Sequence, residues 1–307
     1  MSRISLAAAA VLVLAPAALA AIEAPAPNHA RVVLFGEPDA AYDAAPARHR
    51  FVPPITAPYF AEDPFITSDI RPWVIYHKFT DEPFPSGLGG GDVLVGAVQL
   101  RLALTDRLQF VAYKDGYADF DGPLVDETGY FDVGAGIKWN FLRNVEEQLH
   151  VSAGVGIELA VGDDEVLQDD EAYRFFLAGA KGFDNLHLGA TLNYIYAPDK
   201  NEFPFGNSDK LTWHLHADYY VNRFFSPVVE VNGYHKINAG DGVADINGLD
   251  VVNLGGDGKD FEASMGVGFS LSPAENISIR AAYEFPLTGS DEGLFDYRVS
   301  ASAVFAF

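Results

Sequence analysis

The chain has 307 residues, 49% of them hydrophobic and 13% aromatic, with 29 glycines, no cysteine, and 43 acidic against 20 basic residues for a formal net charge of −23. So apolar a composition excludes a disordered chain, and so acidic a balance argues against nucleic acid as a partner, because phosphates are repelled. The lack of cysteine excludes a disulfide scaffold, a thiol nucleophile and any Cys-based zinc or iron–sulfur centre.

Residues 1–20 read MSRISLAAAAVLVLAPAALA. A basic start at Arg3, an apolar run and a small-x-small ending at Ala18-Leu19-Ala20 predict a secretory signal peptide, and Pro16 with the short run opposes a membrane-spanning helix. Residues 21–67 are expected to form a Pro/Ala-rich periplasmic lead, mostly irregular. Eight of the 18 prolines fall between 22 and 67, and RVVLF at 31–35 is its one short strand-like run. Such a lead either contacts a periplasmic partner or enters the lumen of a barrel formed by the rest of the chain.

From residue 68 to the end the texture changes to period-two alternation, the signature of strands. Leu149, Val151, Ala153, Val155, Ile157 and Leu159 oppose His150, Ser152, Gly154, Gly156 and Glu158. The same split separates Phe131, Val133, Ala135, Ile137, Trp139 and Phe141 from Asp132, Gly134, Gly136, Lys138 and Asn140. It recurs at 211–221 and 277–285. The segments are 68–80, 92–104, 108–120, 129–142, 149–162, 172–183, 186–197, 211–221, 225–238, 261–272, 277–287 and 297–307. Each reaches or exceeds the ~9–11 residues that a tilted strand needs to cross a bilayer. The facing of 92–104, 172–183 and 225–238 is left open by the pattern.

The connections alternate in length. TDR at 105–107, RNVEEQ at 143–148, DN at 184–185, NRF at 222–224 and PAEN at 273–276 are short, whereas 163–171, 198–210 and 239–260 are long, acidic and polar. An even strand number with short turns on one side and long loops on the other predicts an all-β fold: a transmembrane antiparallel up-and-down β-barrel of about 12 strands, with short periplasmic turns and long acidic extracellular loops, over 68–307. Trp139, Phe141, Tyr219 and Phe305 near the short turns, and Tyr173, Tyr196, Trp213, Phe285 and Tyr297 near the long loops, fit two interfacial belts. A soluble secreted β-protein is the alternative at the level of fold.

The last strand, Tyr297-Arg-Val-Ser-Ala-Ser-Ala-Val-Phe-Ala-Phe307, resembles the closing strand of Gram-negative outer-membrane β-barrels. That resemblance implies that Phe305 and Phe307 serve as the signal read by the barrel-assembly machinery, and that the chain resides in the outer membrane. GGGDVLVGAVQLRLALTDRLQFVAYKDGYAD (89–119) and VNGYHKINAGDG (231–242) are similar to barrels grouped with the phenol-degradation-pathway (MetA-like) outer-membrane proteins. Such families imply a transport or channel role and bring no catalytic residues and no cofactor.

If the apolar face meets lipid, the polar face lines the interior, because a lipid-facing Lys or Arg at the midplane costs roughly 2–4 kcal/mol. Lumen-lining candidates are Arg101, Asp132, Lys138, Glu158, His214, His216, Asp218, Glu230, Lys236, Glu262, Arg280, Glu284 and Arg298. Twelve strands lie between the filled eight-stranded barrel and the open porins, so a narrow aqueous path and a plugged lumen are both compatible. The leading expectation is therefore a non-catalytic channel or transporter for a small solute. A plugged structural or surface-interaction barrel is the second.

Three local patterns test other chemistry. His214-x-His216-x-Asp218 places two imidazoles and a carboxylate on one strand face, ligand types for a transition metal but widely spaced, against the plainer reading of a hydrated wall. His150-Val151-Ser152 has the spacing of the His and Ser of outer-membrane phospholipases, but both residues point inward and the next segment offers no orienting Asn, so a lipid hydrolase is the weakest reading. Asp163, Asp164, Glu165, Asp169, Asp170 and Glu171, then Asp241, Asp245, Asp250, Asp257 and Asp260, suit either divalent cations or plain solvation; Gly255–Asp260 matches only the start of a calcium-binding repeat.

Overall fold

The computed structural model describes residues 28–168, 171–198, 200, 207–244, 247–256, 258, 260–289, 293 and 295–307. The predicted signal peptide, Asp169, Asp170, Asp245 and Asp257 lie outside the described residues.

Alternating segments that each hide one face and expose the other can satisfy every backbone group only by pairing, and in a bilayer only by closing. The chain does so with fourteen strand segments: β1 Asp69–Phe79, β2 Asp92–Ala103, β3 Leu108–Lys114, β4 Tyr117–Asp121, β5 Thr128–Tyr130, β6 Val133–Asn144, β7 Leu149–Leu159, β8 Ala172–Phe183, β9 Leu186–Tyr196, β10 Asp209–Tyr219, β11 Phe225–Asn238, β12 Phe261–Ala274, β13 Ile277–Pro286 and β14 Phe295–Ala306. All ladders between neighbours are antiparallel, and β1 pairs with both β2 and β14, which closes the sheet. Counting β3 with β4 and β5 with β6 as single crossings leaves a closed 12-stranded barrel. No helix among the described residues is long and apolar enough to cross a membrane.

The interruption between β3 and β4 has a local cause. Gly116 sits at φ +153°, and a Cβ there would meet Val95 Cγ1 at 3.1 Å, so only glycine fits the turn of the chain at this point. The partner strand is interrupted opposite it, with Phe131 N–H donating to the Gly116 carbonyl at 2.9 Å. Tight turns on the other side are made by left-handed residues such as Asp184 (φ 60°) and Gln148 (φ 50°).

Burial follows the pleat. On β8, Tyr173, Phe175 and Leu177 face out while Arg174, Phe176 and Ala178 are buried; on β11, Val229 faces out while Ser226, Val228, Glu230, Asn232 and Tyr234 are buried. The outer surface carries exposed Ile137, Val155, Leu192, Leu215 and Val267, with Trp139 against Phe141 at one end and Tyr173 against Tyr196 at the other. The interior is not uniformly polar. Trp73, Ile75, Phe79, Val93, Val95, Ala118 and Phe120 of β1, β2 and β4 are buried inside, because they pack with other chain segments rather than facing water.

Candidate functional site: a lumen occupied from both ends

The interior is filled by the segment that precedes the barrel. Apart from the short 3-10 turns Ala40–Ala44 and Ala47–His49, residues 28–67 have no regular structure. Leu34 and Phe35 N–H groups reach the Ala103 and Leu104 carbonyls at the short-turn end. The chain then enters the barrel, and Ile55, Ala57, Tyr59, Phe60, Phe65 and Ile66 are all buried. It reverses at Ala57, whose carbonyl accepts from the Phe60 and Ala61 N–H groups at 3.1 and 2.8 Å.

Proline makes the chemistry of this segment one-sided. A proline has a carbonyl but no N–H, so a Pro-rich stretch presents acceptors that its own backbone cannot serve. The wall serves them. Arg280 Nη1 donates to the Pro53 and Pro54 carbonyls at 2.9 and 3.0 Å, Gln99 Nε2 to Pro58 at 2.7 Å, and Asn140 Nδ2 and Ser152 Oγ to Pro64 at 2.9 and 2.5 Å. Arg174 donates to the Tyr59 and Phe60 carbonyls at 2.9 and 2.7 Å.

Two carboxylates fix the segment in register. Glu62 lies on the segment and accepts from Arg101 Nη2 at 3.1 Å and Lys138 Nζ at 3.2 Å, with Asp63 beside it 3.3 Å from Arg71. Burial opposes ionisation of Glu62, but Arg101, Lys138, Arg71 and Arg174 outweigh it and hold its carboxyl well below the usual carboxylate range. Glu230 lies on the wall and accepts from Ile55 N–H at 2.9 Å, Thr56 N–H at 2.6 Å and Thr56 Oγ1 at 2.5 Å. Opposite Thr56 the wall carries Gly266; a Cβ there would lie 2.4 Å from Thr56 Cγ2 and 3.5 Å from Thr56 Cβ. The missing side chain is the space that Thr56 occupies.

From the long-loop end, the 239–260 connection also turns inward and buries Leu249, Val251, Val252 and Leu254. Its Asp250 pairs with Arg298, which outweighs the cost of burial and holds the Asp250 carboxyl low. The two inserted segments meet where Tyr59 N–H approaches Asp250 Oδ2 at 3.4 Å. A polar network joins them through the wall: Thr56 to Asn232 at 3.0 Å, Asn232 to Glu284 at 2.9 Å, and Glu284 to Arg298 at 2.7 Å. A small cavity remains between the inserted segment and the β8–β11 wall, reaching Phe51, Glu62, Phe65, Thr191, His216 and Asn232.

The lumen-lining candidates all lie buried, but most do not face one another. Arg101 and Lys138 hold Glu62, Glu230 holds Thr56, and Arg280 holds the two prolines. Glu158 pairs with Lys114, and Lys236 donates to the Gly256 carbonyl at 2.6 Å. Asp132 accepts from the Val161 and Gly162 N–H groups, and Glu262 is buried at the long-loop end, its Oε2 without a hydrogen-bond partner among the described residues. His216 sits between Glu230 (2.6 Å) and Asp218 (3.1 Å), Asp218 also meets His187 at 2.7 Å, and His214 turns to Asn232 and Thr212. Among the described residues no group of three or more His, Asp or Glu has the geometry to hold a metal ion. His150 meets Tyr42 at 3.3 Å, while Ser152 is engaged with Pro64 and Asn140, so the hydrolase spacing does not become a His–Ser pair.

Pattern reading missed Glu62, Asp63 and Thr56, which lie in the lead, and Arg174, on a segment of uncertain facing; it placed Asp250 among loop carboxylates for cations or solvent, whereas Asp250 is buried against Arg298. The signal that marks the first group is FVPPITAPYFAEDPFI at 51–66: its apolar density is far above that of a solvated linker.

No protein-family model matches the chain and no curated protein matches it, so the similarity to the phenol-degradation group gains no support. Solved structures do match. The COG4313 outer membrane channel from Pseudomonas putida F1 is 16% identical over 84% of this chain and 100% of its own, with a TM-score of 0.61. The NanC porin (9% identical, 78% of this chain and 100% of its own, TM-score 0.49) and the KdgM porin (13%, 78% and 99%, TM-score 0.44) are more distant. The fold is that of an outer-membrane β-barrel, and the likeness is to porin-like channels.

Proposed function

We propose that this protein is an outer-membrane channel for small solutes whose lumen is held shut by its own leading segment, and that it acts without covalent chemistry. What supports the reading is the mode of attachment. The segment is held by side-chain hydrogen bonds and ion pairs to the wall, not by a strand ladder, so it can leave without breaking the barrel. A channel of the same fold, the one from Pseudomonas putida F1, adds support. Residues 1–20 act in this reading as the export signal, and Phe305 and Phe307 as the mark for assembly. Phe307 N–H also donates to the Ser68 carbonyl at 2.9 Å, tying the last residue to the start of β1.

The absence of cysteine allows a direct test. The 3.5 Å separation between Thr56 Cβ and a Cβ at position 266 suits a disulfide, whose Cβ atoms lie ≈ 3.5–4.5 Å apart. The Thr56→Cys/Gly266→Cys chain, refolded into planar bilayers, is expected to stay closed when oxidised and to regain the native pattern of openings on reduction. Removal of residues 28–67 is expected to raise conductance further. Equal conductance in the oxidised and reduced states would defeat a movable plug, and a native chain that stays silent while the truncated one conducts would favour the structural barrel.

A further inference from the structure

The corner of the barrel where the lead enters holds a basic cavity in a strongly acidic protein. It lies at the short-turn end between the lead and strands β11–β13. Its polar lining consists of Arg50 from the lead, Tyr220, Asn222 and Arg223 around the β10–β11 turn, and Ser226, Ser270, Ser272 and Ser278 from the wall; among the described residues no carboxylate is part of it. Ser226 and Ser270 are cross-strand partners, and both are buried, as is Ser278.

Arg50 is the centre of this arrangement. It is half-buried, and its Nη1 donates to Ser272 Oγ at 3.0 Å. Among the described residues no carboxylate lies within ion-pair distance of it. The carboxylate that acts on it from further away, Asp218, is already taken by His187, His216 and the Val52 N–H. Burial pushes the Arg50 guanidinium down to about 10, the sign of a cation whose charge is under-compensated. A second buried guanidinium stands on β13. Arg280, fully buried and paired across the ladder with Ser270, lies over the Trp73 ring and donates to the Pro53 and Pro54 carbonyls and to Ser302 Oγ, and among the described residues its Nε has no hydrogen-bond partner.

A guanidinium fork flanked by hydroxyl donors is the chemistry that recognises a carboxylate or a phosphate group. We infer that this cavity is a binding site for a small oxyanion, held by Arg50 with Ser270, Ser272 and Ser278. Arg50 belongs to the lead and the serines to β12 and β13, so the bound anion bridges the inserted segment to the wall and strengthens its seating. The inference goes beyond the channel reading, because binding here is an equilibrium property that needs no conduction.

The test is the thermal unfolding of the full chain in non-ionic detergent at constant ionic strength, with chloride replaced by inorganic phosphate in one arm and by acetate in the other. A ligand that binds the folded state alone raises the midpoint in a saturable way. The native chain is expected to show such a rise, and whichever anion saturates at lower concentration identifies the group that the site prefers. Loss of a charge-assisted contact predicts at least about tenfold weaker binding in Arg50→Gln. Ser270→Ala/Ser278→Ala, which leaves Arg50 in place, is expected to weaken it likewise. Arg31→Gln, which alters a nearby arginine already paired with Glu275 at 2.8 Å, is expected to bind as the native chain does. A midpoint that ignores both anions, or one that rises equally in the native chain and the serine variant, overturns the site.

Discussion

Glu62 ties the inserted segment to two wall cations at once, Arg101 and Lys138, while the charges of Arg71 and Arg174 act on it from further away. Removing one partner of a buried ion pair leaves the others uncompensated and costs about 3–5 kcal/mol. Glu62→Gln is therefore expected to leave the barrel folded but the segment loosely seated, seen as more frequent openings in a planar bilayer. Its pH dependence has a definite sign. The folded-state pKa lies below the unfolded value, so the contribution is complete above the unfolded carboxylate range and is lost as pH falls through the folded value. The difference between the native and Glu62→Gln chains should be flat from neutral to mildly acidic pH and shrink only in strong acid; a difference that disappears near the ordinary carboxylate range would contradict the assignment. The inward position of Lys138 was readable from its alternation with apolar neighbours, and that of Arg101 from the cost of a cation against lipid. Their partner was not, because Glu62 lies where no period assigns a face.

Among the elements, the strands and the lead differ in how far sequence reaches. A strand declares its own facing through its pleat, so β6, β7, β10 and β13 can be drawn from alternation alone. Where both faces are apolar, as on β2, pattern is silent, and the inward Val93, Val95 and Ala97 are explained only by the segments packed against them. The lead has no such internal logic: its order comes from donors and acceptors elsewhere. That makes a prediction for hydrogen exchange. The N–H groups of Val52, Ile55 and Thr56 donate to Asp218 and Glu230, so they should exchange as slowly as wall amides although they belong to no sheet. Glu230→Gln should speed Ile55 and Thr56 selectively and leave the β6–β7 ladder unchanged. Uniformly fast exchange of all three in the native chain would mean that the segment does not stay seated.

For the molecule as a whole, one outer surface must meet a solvent, and its chemistry names that solvent. Leu192 and Val155, near the middle of their strands, are 45% and 52% exposed, with Trp139 against Phe141 at one end of this apolar band and Tyr173 against Tyr196 at the other. A water-facing surface would tolerate a cation there at almost no cost, whereas a lipid-facing midplane charges roughly 2–4 kcal/mol for Arg. Leu192→Arg is accordingly expected to lower folding stability in lipid vesicles by about 2–4 kcal/mol. The same substitution should cost little at the exposed Phe35 of the lead, which lies outside the barrel wall. Reversible denaturant titration read by tryptophan fluorescence measures both. Equal, near-zero costs at the two positions would make the apolar band an ordinary surface, whereas a penalty confined to position 192 requires that hydrocarbon surround the barrel on the outside.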